Sequence, residues 1–196
     1  MTIKSVVPIV LFAAIFLGGC GSSPKTNFYT LNAQTTRPRA AHSAAYSVAI
    51  RAVTLPDGID RPQLVLRTGA NRVSIADFER WAGPLKDEIA YAVAEDLTGL
   101  LDGANVFIAP RTADEADYTV LLDVQRFDSV LGDAANIDVV WRVRPATGAP
   151  KGGRSVVREA ADGPSYEALV AAHSRALSAV SRDIASAMQA MIAPSR

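Results

Sequence analysis

A run of apolar residues that stops at the chain's only cysteine constrains this sequence more than any other feature. Val6 to Leu17 follows a single positive charge at Lys4 and ends in Gly18-Gly19-Cys20. A positive start, an apolar block and a small-residue ending form the layout of an export signal. As a helix, these twelve residues would reach about 18 Å, short of the ~30 Å hydrocarbon core of a bilayer, and Pro8 interrupts them. The block reads as a leader over residues 1–19 and not as a permanent span. With Cys20 the one cysteine among 196 residues, whatever follows folds without an internal disulfide, so a hydrophobic core must hold it together.

The ending Leu17-Gly18-Gly19-Cys20 resembles the lipobox of bacterial lipoproteins. That resemblance implies that Leu17, Gly18 and Gly19 flank the cleavage point and that Cys20 becomes the first residue, its sulfur joined to diacylglycerol. A thiol suits the chemistry because sulfur is the strongest side-chain nucleophile. One acyl chain anchors only marginally, at about 0.8 kcal/mol per buried methylene, whereas the several chains of a processed lipoprotein anchor stably. Gly21 is not the aspartate that marks inner-membrane retention in enterobacterial lipoproteins, so the analogy points to the periplasmic face of the outer membrane.

Charge excludes one large class of partner. The chain carries 20 basic and 20 acidic residues, and without Lys4 the remainder holds one more acid than base. Nucleic-acid binding, which rests on clustered Lys and Arg, is not expected. The length is that of a single domain, assigned to residues 27–196, with residues 20–26 as the lipidated cysteine and a short polar tether.

Periodicity orders the domain. Asn27 to Leu31 and Tyr46 to Thr54 read as strands, the second closed by the turn residues Pro56-Asp57-Gly58. Gln63–Arg67 and Asn71–Ile75 flank Thr68-Gly69-Ala70 as a hairpin. From Pro84 the period changes: Leu85, Ile89, Val93, Leu97 and Leu100 predict an amphipathic helix that stops at Asp102-Gly103. Strands are expected at 105–109, 118–130, 137–143 and 154–158. A second helical stripe runs from Tyr166 through Leu169, His173, Leu177, Val180 and Ile184 to Met191. The order predicts an α+β fold, a mainly antiparallel sheet with two amphipathic helices packed on one face.

Catalytic and metal motifs are missing from the sequence. Gly148 to Ser155 reads G-x-x-x-x-G-R-S, close to a phosphate-binding loop, but Arg154 replaces the required lysine and Ser155-Val156-Val157 continues as a strand. The two histidines are His42 in a polar loop and His173 on the last helix, where a core-edge role with one satisfied nitrogen is expected. No catalytic residue, metal ligand or cofactor is assigned, and the chain does not read as an enzyme. Trp81, just before the first helix, either staples the helix start to the sheet or anchors an interface, as Trp, Tyr and Arg tend to do.

Three stretches together resemble the PqiC-type lipoproteins, the ABC-type transport auxiliary lipoprotein component family. They are Phe28-Tyr29-Thr30-Leu31, the run from Leu55 to Arg67 with Asp60-Arg61-Pro62-Gln63 at its centre, and Arg80-Trp81-Ala82-Gly83-Pro84-Leu85. The resemblance implies an outer-membrane component of an MCE-type intermembrane phospholipid transport system. Its partners would be an MCE-domain protein of the PqiB-like kind, through it an inner-membrane component, and phospholipid, with the lipoprotein itself a homo-oligomeric ring. Arg61, Arg67 and Trp81 are the candidate partner-interface residues. The alternative is an envelope scaffold or assembly lipoprotein that holds a protein partner and moves no lipid.

Overall fold

The computed structural model describes residues 24–35, 45–108 and 116–192. Leu17, Gly18, Gly19 and Cys20 lie outside these residues, as does His42. Eight strands build one sheet: β1 (Asn27–Tyr29), β2 (Tyr46–Thr54), β3 (Gln63–Gly69), β4 (Arg72–Trp81), β5 (Ala104–Ile108), β6 (Tyr118–Val130), β7 (Ala134–Pro145) and β8 (Lys151–Ala160). Among the described residues the helices are α1 (Leu85–Leu100), between β4 and β5, and α2 (Tyr166–Ile192), after β8.

Both helices fall where the apolar spacing puts them. Pro84 stands at the N-cap of α1, where a missing N–H costs nothing, and Asp87 and Glu88 face the positive end of the helix dipole. Leu101 closes the helix by donating its N–H to the Leu97 carbonyl, and Gly103, at φ +71°, turns the chain into β5. In α2 the buried Leu169, His173, Leu177, Val180, Ile184 and Met188 recur at helical spacing. Leu177, Val180, Ile184 and Met188 share one core with Ile89, Val93 and Leu97 of α1 and with Val120, Leu122, Ile137 and Val139 of the sheet, while Leu169 packs in a smaller cluster with Leu66, Ala135 and Ala172.

The sheet is mixed, which corrects the expectation of a mainly antiparallel one. Neighbouring hairpins pair antiparallel, β3 with β4, β6 with β7, and β7 with β8. Parallel pairings join strands far apart in the chain: β1 with β4, β2 with β5, β2 with β6, and β3 with β6 through Leu66 and Ser129. Parallel neighbours need a long crossover, and the chain through α1 supplies one between β2 and β5.

Strand lengths also exceed expectation. β4 runs on to Trp81, past an irregularity where Gln63 pairs with Arg80 but Leu64 with Ala76, and this extension gives β1 its partner. β8 begins at Lys151 and not at Arg154. Gly153 lies under the Trp141 ring, which a Cβ there would strike. Arg154, at the lysine position of the phosphate-loop pattern, forks onto Asp138 of β7 at 2.8 and 2.6 Å and holds that carboxyl below the usual range. The glycine-rich stretch is hairpin and strand, as its strand-like continuation predicts.

Candidate partner-binding surface

The chain between β1 and residue 35 is strapped across both helices. Leu31 donates its N–H to Glu88 of α1 at 3.1 Å, and Asn32 donates to the Ser174 hydroxyl of α2 at 3.2 Å. Gln34 and Thr35 both donate backbone N–H groups to one oxygen of Asp96, each at 2.9 Å. Asp96 is fully buried, so the bonds to its carboxylate are made away from water, where each counts for more. Gly99, one turn on, lets the strap close in: a Cβ there would sit 2.7 Å from the Thr35 carbonyl oxygen. The segment that follows the tether is thereby fastened to the core by α1 and α2 together.

Beneath the sheet, Trp81 is 4% exposed and meets Phe127 edge-on, ring centroids 6.1 Å apart. Phe127 in turn lies flat on His173. The imidazole Nε2 is 2.8 Å from the Ser129 hydroxyl, and Nδ1 has no hydrogen-bond partner among the described residues. Burial alone pushes this histidine down to about 3, so it is neutral at physiological pH. A serine beside a histidine has the outline of a nucleophile and its base, but no carboxylate orients Nδ1 and both side chains are buried. The pair is a polar contact within the core, and one nitrogen of His173 is satisfied, as its place on the apolar stripe predicts.

Of the three interface candidates, the fold brings Trp81 beside the Arg61 segment, where Trp81 donates its backbone N–H to the Pro62 carbonyl at 2.7 Å, and leaves Arg67 apart. Trp81 is buried in the core, against Phe127 of β6 and His173 of α2. Arg61 and Arg67 are half-buried near opposite ends of β3, about 20 Å apart along the strand. Arg67 pairs with Asp128 at 2.9 Å, and Arg126 approaches the same carboxylate at 3.8 Å. Among the described residues no group of His, Cys, Asp and Glu could hold a metal ion, and no helix is long and apolar enough to cross a membrane.

The surface features that periodicity missed are strand edges and the apolar groups along them. Past Ile50, β2 outruns its pairing with β5. Its free side there opens on a groove of about 430 Å³, lined by Ala52, Thr54, Leu55, Asp60, Lys86 and Ala90 among others. Ala52 to Thr54 pair with β6 on one side, and on the other no strand among the described residues pairs with them, the arrangement that accepts an added strand. On the other flank β4 carries exposed Val73, Ile75 and Phe78, with exposed Phe28 on β1 beside it. No local pattern marks these residues, because exposure depends on which strands pair.

The described residues form a mixed α/β domain of eight strands and two helices, preceded in the sequence by the lipobox-like Leu17-Gly18-Gly19-Cys20. The chain belongs to the ABC-type transport auxiliary lipoprotein component family, whose profile matches residues 29–185. Two solved structures share the fold. One, an uncharacterized protein, is 18% identical with a TM-score of 0.70, over 84% of this chain and 99% of that one. The other, a Xanthomonas campestris protein of the DUF330 family, is 18% identical with a TM-score of 0.61 over the same shares. No curated protein matches significantly.

Proposed function

We propose that this protein is the outer-membrane lipoprotein of an MCE-type intermembrane phospholipid transport system, docking the periplasmic MCE-domain protein at the outer membrane. The observation that carries the reading is the transport-auxiliary family match over residues 29–185, directly downstream of Leu17-Gly18-Gly19-Cys20. Cys20 anchors the domain, residues 20–26 let it tilt, and a homo-oligomeric ring presents the docking surface. The groove beside β2 fits an extended segment of a protein partner, with main-chain hydrogen bonds for affinity and Lys86 and Asp60 at its rim. Arg61 and Arg67 are candidate contacts, and Trp81 acts indirectly, through its core packing on Phe127 and His173.

Crosslinking the intact lipoprotein in living cells, followed by mass spectrometry of what is captured, tests the proposal. Recovery of an MCE-domain protein, with phospholipid in the purified complex, is the expected result. Capture of a cell-wall or assembly partner without lipid would replace it with the scaffold reading.

A further inference from the structure

We infer that the β4 edge of the sheet, with the turn that joins β3 to β4, rests on the lipid surface that holds the anchor; this builds on the acylation of Cys20. Three observations point to it. First, β1 runs parallel to β4, pairing Asn27 with Glu79 and Tyr29 with Trp81. The chain therefore enters β1 from the side of the β3–β4 turn, with Cys20 seven residues upstream of Asn27 in the sequence.

Second, the tether is only a little longer than the hairpin is deep. Seven residue steps separate Cys20 from Asn27, about 24 Å when fully extended. Because β4 is irregular, the depth is read on β3, where six steps lead from Gln63, opposite Arg80, to Gly69, opposite Arg72, about 20 Å. A tether running toward the turn therefore lets the turn stand only a few ångströms off the bilayer at full extension, and brings it against the surface when less extended.

Third, the residues along this edge are ones that lipid would cover. Phe28 is 64% exposed, Val73 53%, Ile75 43% and Phe78 44%. Phe28 pairs with Arg80, so these two share the face of the sheet opposite to buried Tyr29 and Trp81. Exposed Leu131, from the β6–β7 turn, joins Leu66 and Ala70 around a shallow hollow at the same end. Aromatic groups beside arginine are the composition favoured at a membrane interface. The anchored domain thus lies with its β4 edge against the headgroups, and its opposite flank, with the groove beside β2, faces the periplasm.

Acylated Cys20 offers no free thiol, so a single introduced cysteine can be labelled selectively. The full-length lipoprotein bearing Val73→Cys, Phe78→Cys or, as a control on the exposed face of α1, Tyr91→Cys would be labelled with an environment-sensitive fluorophore. Each would then be reconstituted into vesicles of phosphatidylethanolamine and phosphatidylglycerol. The inference expects a blue shift at positions 73 and 78 and loss of most of their emission to a lipid-borne quencher, while position 91 stays aqueous. Vesicle flotation with all three labels aqueous would overturn the inference and leave the anchor standing. A blue shift at 73 and 78 that the lipid quencher does not touch would assign the edge to a second copy of the chain and overturn it too. Failure to float would remove the anchor, and the inference with it.

Discussion

Phe127 lies flat on His173, their ring centroids 4.0 Å apart and their planes 8° from parallel. The stack seals the imidazole from water, and burial lowers its pKa from 6.5 to about 3. Its native pKa lies below its unfolded one, so between these values the unfolded chain binds the proton and the folded one does not. The stability contributed by the neutral ring is complete above about pH 6.5 and declines as pH falls toward 3. The expected slope from this one group is about 1.4 kcal/mol per pH unit within that window. Denaturant midpoints at pH 7, 5.5 and 4.5 should fall steadily in the wild type and stay nearly level in His173→Leu. Parallel declines in both proteins would assign the acid sensitivity elsewhere.

Trp81 is enclosed by Phe127 and His173 and precedes the first residue of α1 by four positions. Trp81→Ala leaves a cavity where an indole was, and the loss should be about 3–5 kcal/mol of unfolding free energy. Chemical denaturation reads it directly. Unchanged stability with lost partner capture would return Trp81 to an interface role.

Asp96 receives two backbone N–H groups from the strap, and Gly99 makes room for it. Asp96→Ala orphans both donors, at about 1–3 kcal/mol for each that stays buried, so the strap is expected to lift away and expose them. Amide exchange at Gln34 and Thr35 should accelerate in Asp96→Ala and in Gly99→Val, with β6 and β7 still protected. Slow exchange at residues 34 and 35 in both variants would mean that other contacts hold the strap.

Cys20→Ala removes the sulfur that the lipobox reading requires. The variant should move from the membrane to the soluble fraction with its leader uncleaved or miscleaved. Wild-type fractionation would exclude acylation at this position as the anchor.

Phe28 and Tyr29 show where reading the sequence stops working. Both are aromatic, adjacent and in the same predicted strand, yet one is 64% exposed and the other 8%. The difference arises because Tyr29 faces inward beside Trp81 while Phe28 pairs with Arg80, a register set fifty residues away. Trp81 is similar: its place before a helix was legible, but its burial depends on Phe127 and His173, which come from β6 and α2.

Features determined over a few residues were settled by the sequence alone. These include both helices, the strand at 118–130, the lipobox-like ending and the hairpin that β3 begins. Each antiparallel pair in the sheet joins strands consecutive in the chain, where a short turn dictates the partner. Each parallel pair joins strands that are not consecutive, and only three-dimensional packing selects it. Local periodicity says which side of a strand is apolar, but it carries no information on which distant strand will cover its edge. The mixed sheet, the side of β2 that no described strand covers past Ile50, and the exposed edge of β4 were therefore decided by tertiary structure, through long crossovers whose entropy only the assembled core can offset.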